Sequence, residues 1–361
     1  MYLNKRKITM RIVLPFMMLL MFIGPASAVE ISDFFSDFTS SDVTVSSGED
    51  FRGRAVFELL YEGRTVESHE VPITVGAGGA VTRVIIWEKK PQQDYYTARV
   101  SIYNDNQVLA SSTYQVSYGT VSLPSFHVVD FSPTNSGAKL LLRPFNPSVV
   151  DIKVQLLDNS DIIYEKANDD TSLTTNIEIT TPWTFLLTDN KKYTVRAKIF
   201  THRLYAAPLI NTYVANFTAT EDVEILPEDV EVDEYGASVT LRGKSQVPFD
   251  GFIVVKARNR TTNETQVYRQ QVEEILTSGK EDTAGVVWRG LTPGTYDVEI
   301  LIENRGIATL DRYETVLRIP EYSAVTATPP AQGVPGFHAP LFTAILLIAM
   351  LLAAARRLKG E

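Results

Sequence analysis

His69, His127, His202 and His338 are the four imidazoles of the 361-residue chain, and no two of them stand at a metal-sharing spacing. Neither His-x-x-x-His nor His-Glu-x-x-His occurs, so no helical face presents two ring nitrogens to zinc. There is no cysteine, which removes thiol nucleophiles, thiolate metal sites and disulfides together. No Gly-x-Ser-x-Gly elbow, phosphate loop or dinucleotide fingerprint is present. The expectation is a protein that is not an enzyme, with no catalytic and no cofactor-binding residue.

One acidic run could hold a hard cation. Residues 221–234 contain eight carboxylates, among which Glu228, Asp229, Glu231 and Asp233 are the calcium candidates. Calcium takes clustered carboxylate oxygens and would stiffen a junction between folded units. The run lacks an Asp-x-Asp-x-Asp-Gly loop, however, and Val223, Ile225, Val230 and Val232 punctuate it as in a strand pair with one wet face. No metal is therefore expected, with calcium as the alternative. Three Asn-x-Ser/Thr sequons offer glycosylation at Asn216, Asn259 and Asn263, all expected to be accessible, the latter two at a hairpin tip.

The elements behind these residues repeat. Trp87, Trp183 and Trp288 are the three tryptophans, about a hundred residues apart. Each is followed by a Tyr that opens a period-2 segment. Tyr96, Ala98, Val100 and Ile102 point one way in the first copy, Tyr193, Val195, Ala197 and Ile199 in the second, and Tyr296, Val298, Ile300 and Ile302 in the third. A further tyrosine follows in each copy, at 114, 213 and 313. Tryptophan in every copy argues for a core anchor rather than a sugar-stacking platform. Upstream, runs at 51–61, 138–145 and 249–257 end in turn residues and read as the same element of each copy. Residues 270–277 are the nearest approach to a helix, but alternate as a strand would.

Short strands with turns every 8–12 residues describe an all-β chain of three tandem antiparallel β-sandwiches. Each unit resembles an immunoglobulin-like or fibronectin-like sandwich, in architecture rather than in the cysteine-bridged antibody pattern. The expected sandwiches occupy residues 29–122, 123–220 and 221–320. Residues 321–336 carry Pro329, Pro330 and Pro335 among Ala, Thr and Ser, and form an extended stalk.

The termini speak for export. Lys5, Arg6, Lys7 and Arg11 precede an apolar stretch at 12–23, and Ala26-Ser27-Ala28 reads as a cleavage site after Ala28, making 1–28 a signal peptide. Residues 337–355 form an almost uncharged run that reaches ~28 Å as a helix, about one hydrocarbon core. Arg356 and Arg357 follow in the tail 356–361, which should stay cytoplasmic and leave the rest outside. Pro335-Gly336-Phe337, an apolar helix and then Arg356-Arg357 resembles the PGF-CTERM sorting signal of archaeal surface proteins. That resemblance covers only residues 333–361. It implies recognition by an archaeosortase, loss of the helix and transfer of the new C-terminus to a membrane lipid, with an uncut transmembrane anchor as the alternative.

Charge agrees with an exposed exterior. The chain holds 34 Lys and Arg against 43 Asp and Glu, and seven of the cations lie in the two termini, so the part between them is more acidic than the net charge of −9. This argues against nucleic acid as a partner. The expected role is structural or adhesive, on the outer face of an archaeal envelope, with surface-layer or other envelope proteins as partners. A ligand-binding accessory subunit of a membrane complex or transporter is the alternative.

Overall fold

The computed structural model describes residues 29–89, 95–117 and 124–321. The expected signal peptide with Ala28, residues 322–336 of the expected stalk with Pro335 and Gly336, the run from Phe337, and Arg356 and Arg357 lie outside these residues. The described chain is all-β and every ladder between named strands is antiparallel. Among the described residues, no helix is long and apolar enough to cross a membrane.

Seven strands recur three times in one order. The first set is β1 (Glu30–Ser36), β2 (Ser40–Ser47), β3 (Phe51–Tyr61), β4 (Arg64–Val75), β5 (Gly79–Ile86), β6 (Tyr95–Asn104) and β7 (Gln107–Ser117). The second is β8 (Phe126–Pro133), β9 (Gly137–Pro144), β10 (Ser148–Asp158), β11 (Asp161–Leu173), β12 (Ile177–Pro182), β13 (Lys192–Arg203) and β14 (Ala206–Thr218). The third is β15 (Val223–Val232), β16 (Gly236–Gly243), β17 (Phe252–Asn259), β18 (Thr265–Gln271), β19 (Glu281–Val287), β20 (Gly294–Glu303) and β21 (Thr309–Ile319). In each set the first, second and fifth strands form one sheet. The fourth, third, sixth and seventh form the other. The fourth strand thus leaves the sheet it occupies in immunoglobulin constant domains.

Three separate apolar cores lie between these pairs of sheets. The alternating positions of β6, β13 and β20 point inward as their period requires, from Tyr96 to Ile102, Tyr193 to Ile199 and Tyr296 to Ile302. Each tryptophan follows the fifth strand and is buried. Its indole N–H closes onto the end of the first strand or the connection that follows it: Trp87 to Ser36 Oγ at 3.1 Å, Trp183 to Thr134 O at 3.0 Å, Trp288 to Glu234 O at 3.2 Å. A buried indole needs such an acceptor, and one in the same region of each copy identifies the tryptophans as core anchors. The tyrosines opening β13 and β20 also bond back a few residues. Tyr193 Oη accepts from Thr188 N, and Tyr296 Oη donates to Thr292 O.

Two expectations shift. The runs at 51–61 and 249–257 map to β3 and β17, but 138–145 is β9, a second strand in the opposite sheet. The strand equivalent to β3 is β10. Both runs end in turn residues, but Glu62-Gly63 closes a hairpin at φ 47° and 77°, whereas Asn146-Pro147 carries the chain between sheets. Residues 270–277 are the end of β18 and an irregular segment held by the bridge Phe249↔Leu276 and by Val272 N donating to Gly251 O.

Candidate functional site

The charged side chains most deeply buried in the described chain lie where the first sandwich rests on the second. Arg196 and Lys198 alternate with the inward residues of β13 and so face away from their own core. They are nevertheless only 0 % and 6 % exposed, because β2 of the first sandwich covers them. Asp42 of β2, 4 % exposed, meets both. Lys198 Nζ donates to both Asp42 oxygens at 2.9 Å, Arg196 Nη2 donates to Oδ2, and Arg196 Nη1 donates to Gln155 Oε1 at 3.1 Å. Beside them, Asp37 accepts from Thr212 N at 2.7 Å and from its hydroxyl, and Ser40 Oγ lies 2.8 Å from Thr212 Oγ1. At the edge, Val84 N donates to Ser160 O at 3.0 Å and Arg83 pairs with Asp161 at 2.7 Å, which splices β5 to β11 and makes one seven-stranded sheet.

Burial and charge act against each other in this joint. Burial alone would raise the Asp42 carboxyl, but the charges and hydrogen bonds of Arg196 and Lys198 outweigh it and hold the group below the usual carboxylate range. Lys198 is lowered, first by burial and then by Arg196, in spite of Asp42. Burial raises Asp37 even though Ser40, Thr212 and Thr39 bond to it. Lys198 also lies 4.4 Å from the centre of the Phe35 ring. Next to the network, a crevice of about 430 Å³ opens between the sandwiches, lined by Phe34, Phe35, Tyr114, Lys198, Phe200 and Ile210 among others.

The second joint is built differently. The loop after β16 reaches back into the preceding sandwich, and Val247 is buried as a member of the second core. Gln246 lies across the seam. Its N–H donates to Asn135 O, its carbonyl accepts from Leu187 N, and its Nε2 donates to Trp183 O at 3.0 Å. Val247→Asp is expected to detach the third sandwich, because a carboxylate in that core would be unpaired, at a cost of ~3–5 kcal/mol. Faster proteolysis at residues 220–222 would report it, against unchanged cleavage if the loop simply moves aside.

The residues singled out in the sequence fall elsewhere. Glu228 and Asp229 lie on an exposed bulge of β15, between Ile225 and Val230, and Glu231 is exposed farther along. Asp233 accepts from Tyr235 N and Gly236 N in its own turn. Among the described residues, no three of these acids share a set of donor atoms, whereas Asp151, Asp170 and His202 do. Asn216 is exposed on β14, and Asn263 is exposed at the β17–β18 turn. Asn259 corrects the expectation of access: it is 8 % exposed, and its Oδ1 accepts from Thr261 N and Thr262 N. The Asn ends the inward-facing row of β17 and caps its own turn.

No protein-family model matches the chain, and no curated protein matches it. Solved structures similar to it include a tetra-tandem repeat in the extending region of a large adhesion protein, 13 % identical, covering 80 % of this chain and 73 % of that one, with TM-score 0.25. Another is the native conformation of E. coli alpha-2-macroglobulin, 11 % identical over 82 % of this chain and 22 % of that one, with TM-score 0.22. Both likenesses are too distant to bear on the site or on function.

Proposed function

We propose that this chain is a non-enzymatic structural or adhesive protein displayed on the outer face of an archaeal envelope. In this reading the leader 1–28 is removed, and sandwiches at 29–122, 123–220 and 221–320 stand on the stalk 321–336. The segment 337–361 tethers them, as a lipid-exchanged sorting signal processed by an archaeosortase or as an uncut span. Envelope or surface-layer proteins are the partners.

The observation that carries this reading is that both joints between successive sandwiches are closed by buried contacts. Interfaces between domains of one chain are mobile unless their contacts are extensive. Here the ion network of Asp42, Arg196 and Lys198 locks one seam and an inserted valine the other. A stiff body held off a membrane suits spacing and adhesion better than turnover. Because the chain lacks cysteine, cysteines introduced at Glu70, Glu178 and Glu314 would be unique spin-label sites. Pulsed electron resonance on the pairs 70/178 and 178/314 is expected to give single narrow distance distributions. Broad ones would overturn the stiff-body reading. Intact mass of protein from its native membrane tests the tether: loss of the residues beyond Phe337 with added lipid supports sorting, and a mass running to Glu361 supports the plain span.

The crevice between the first two sandwiches favours a second reading, an accessory subunit that presents a small ligand. A saturable rise in melting temperature with that ligand would select it.

A further inference from the structure

A group of three donor side chains on the outer face of the second sandwich has no part in either joint. Asp151 stands near the start of β10 and His202 near the end of β13. Asp170 stands in a bulge of β11: Val150 faces Thr171 and Ile152 faces Asn168, so Asp169 and Asp170 together oppose Asp151. The corresponding hairpins β3–β4 and β17–β18 keep an unbroken register at this level, so the bulge belongs to the second sandwich alone. Bulges of this kind re-aim side chains. Asp170 adopts φ 49°, a left-handed conformation that a non-glycine residue enters at a cost. Its N–H donates to Asp151 Oδ1 at 2.8 Å, and His202 Nε2 lies 2.7 Å from Asp151 Oδ2. One donor atom from each of the three residues lies within 4.8 Å of the other two, and among the described residues no other set of His, Asp and Glu does this.

We propose that Asp151, Asp170 and His202 bind a divalent first-row transition-metal ion of the zinc class. Zinc accepts imidazole nitrogen and carboxylate oxygen at ~2.0–2.2 Å, so donors of a tetrahedral centre stand about 3.4 Å apart. Small side-chain rotations bring the three donors to that spacing. The imidazole sets the metal class, because calcium and magnesium favour all-oxygen shells. The ion replaces the proton shared by His202 and Asp151, which passes to solvent. Asp151 Oδ1, still held by the Asp170 N–H, is the outer-sphere bond that orients the ligand. Lys153, two residues along β10 from Asp151, lies 3.9 Å from Glu165 and 5.8 Å from the Phe200 ring, and so is engaged elsewhere. Three protein donors leave a fourth position for water or an incoming ligand, and both Asp151 and His202 are open to solvent.

The test is calorimetric titration of zinc chloride into the untagged, EDTA-stripped full chain in detergent. One saturable site per chain is expected, weakened at least about tenfold by His202→Ala and by Asp170→Asn. Both variants alter exposed side chains, so the metal-free melting temperature should stay at the wild-type value. Millimolar calcium or magnesium should not compete. Lack of saturation below about 100 μM zinc, or saturation unchanged in both variants, would overturn the site.

Discussion

Replacing Asp42 by asparagine is expected to open the seam between the first two sandwiches and to cost ~3–5 kcal/mol, because it takes from the buried Arg196 and Lys198 the carboxylate that bonds to both. The figure reflects unpaired cations rather than the worth of the pair. Nε of Arg196 already lacks a protein acceptor, so the network is not fully satisfied even in the wild type. Replacing Asp42, Arg196 and Lys198 together by apolar residues of similar volume should therefore keep the seam closed with little loss. Denaturant unfolding of the full chain gives the energies, and the 70/178 label pair gives the geometry. If Asp42→Asn costs less than ~1 kcal/mol, water reaches the cations and the seam is not dry.

Acid should act on the same seam with a definite sign. The Asp42 carboxyl is lower folded than unfolded, so its contribution is complete above the ordinary carboxylate range, about pH 4, and fades as pH falls through the depressed value. Asp37 opposes it: burial raises that group, so its ionised form costs stability near neutrality and protonation relieves the cost. The 70/178 distance is thus expected to stay narrow down to about pH 4 and to broaden below it in the wild type. In Asp42→Asn it should be broad throughout. Broadening of the wild type between pH 5 and 7 would assign control to another group.

The alternation of β6, β13 and β20 is readable because a period of two follows directly from strand geometry, and the spacing of three tryptophans marks the repeat. The same alternation hides the first joint. It places Arg196 and Lys198 away from their own core, and period alone says nothing of a neighbour covering that face. A hint does exist in β2. Its outer-face residues are Ser40, Asp42, Thr44 and Ser46, short polar groups where an open strand such as β3 carries Arg52, Arg54 and Glu58. Short side chains let a second sheet approach. The group around His202 has no comparable trace, since its members lie 51 and 19 positions from Asp151, and Asp170 joins the pair only because β11 bulges.

Trp183→Ala is expected to lower the stability of the second sandwich by ~3–5 kcal/mol and to loosen its seam with the third. Trp183 is almost fully buried, stacked on Phe217 at 6.4 Å and edge-on to Tyr164 at 5.7 Å. Two consequences follow from one truncation, because its carbonyl also receives Gln246 Nε2. Removing the indole leaves a cavity and an unpaired Thr134 carbonyl, and the backbone at 183 relaxes into the space. Trp87→Ala and Trp288→Ala remove the same anchor from the first and third cores without touching Gln246, so they serve as controls. Each should shift one calorimetric transition and leave the 178/314 distance narrow, whereas Trp183→Ala should shift its own transition and broaden that distance. Equal behaviour of all three would mean that Val247 alone holds the second seam. A folded Trp183→Ala protein with unchanged transitions but lost carbohydrate binding would instead assign the indole to a ligand surface.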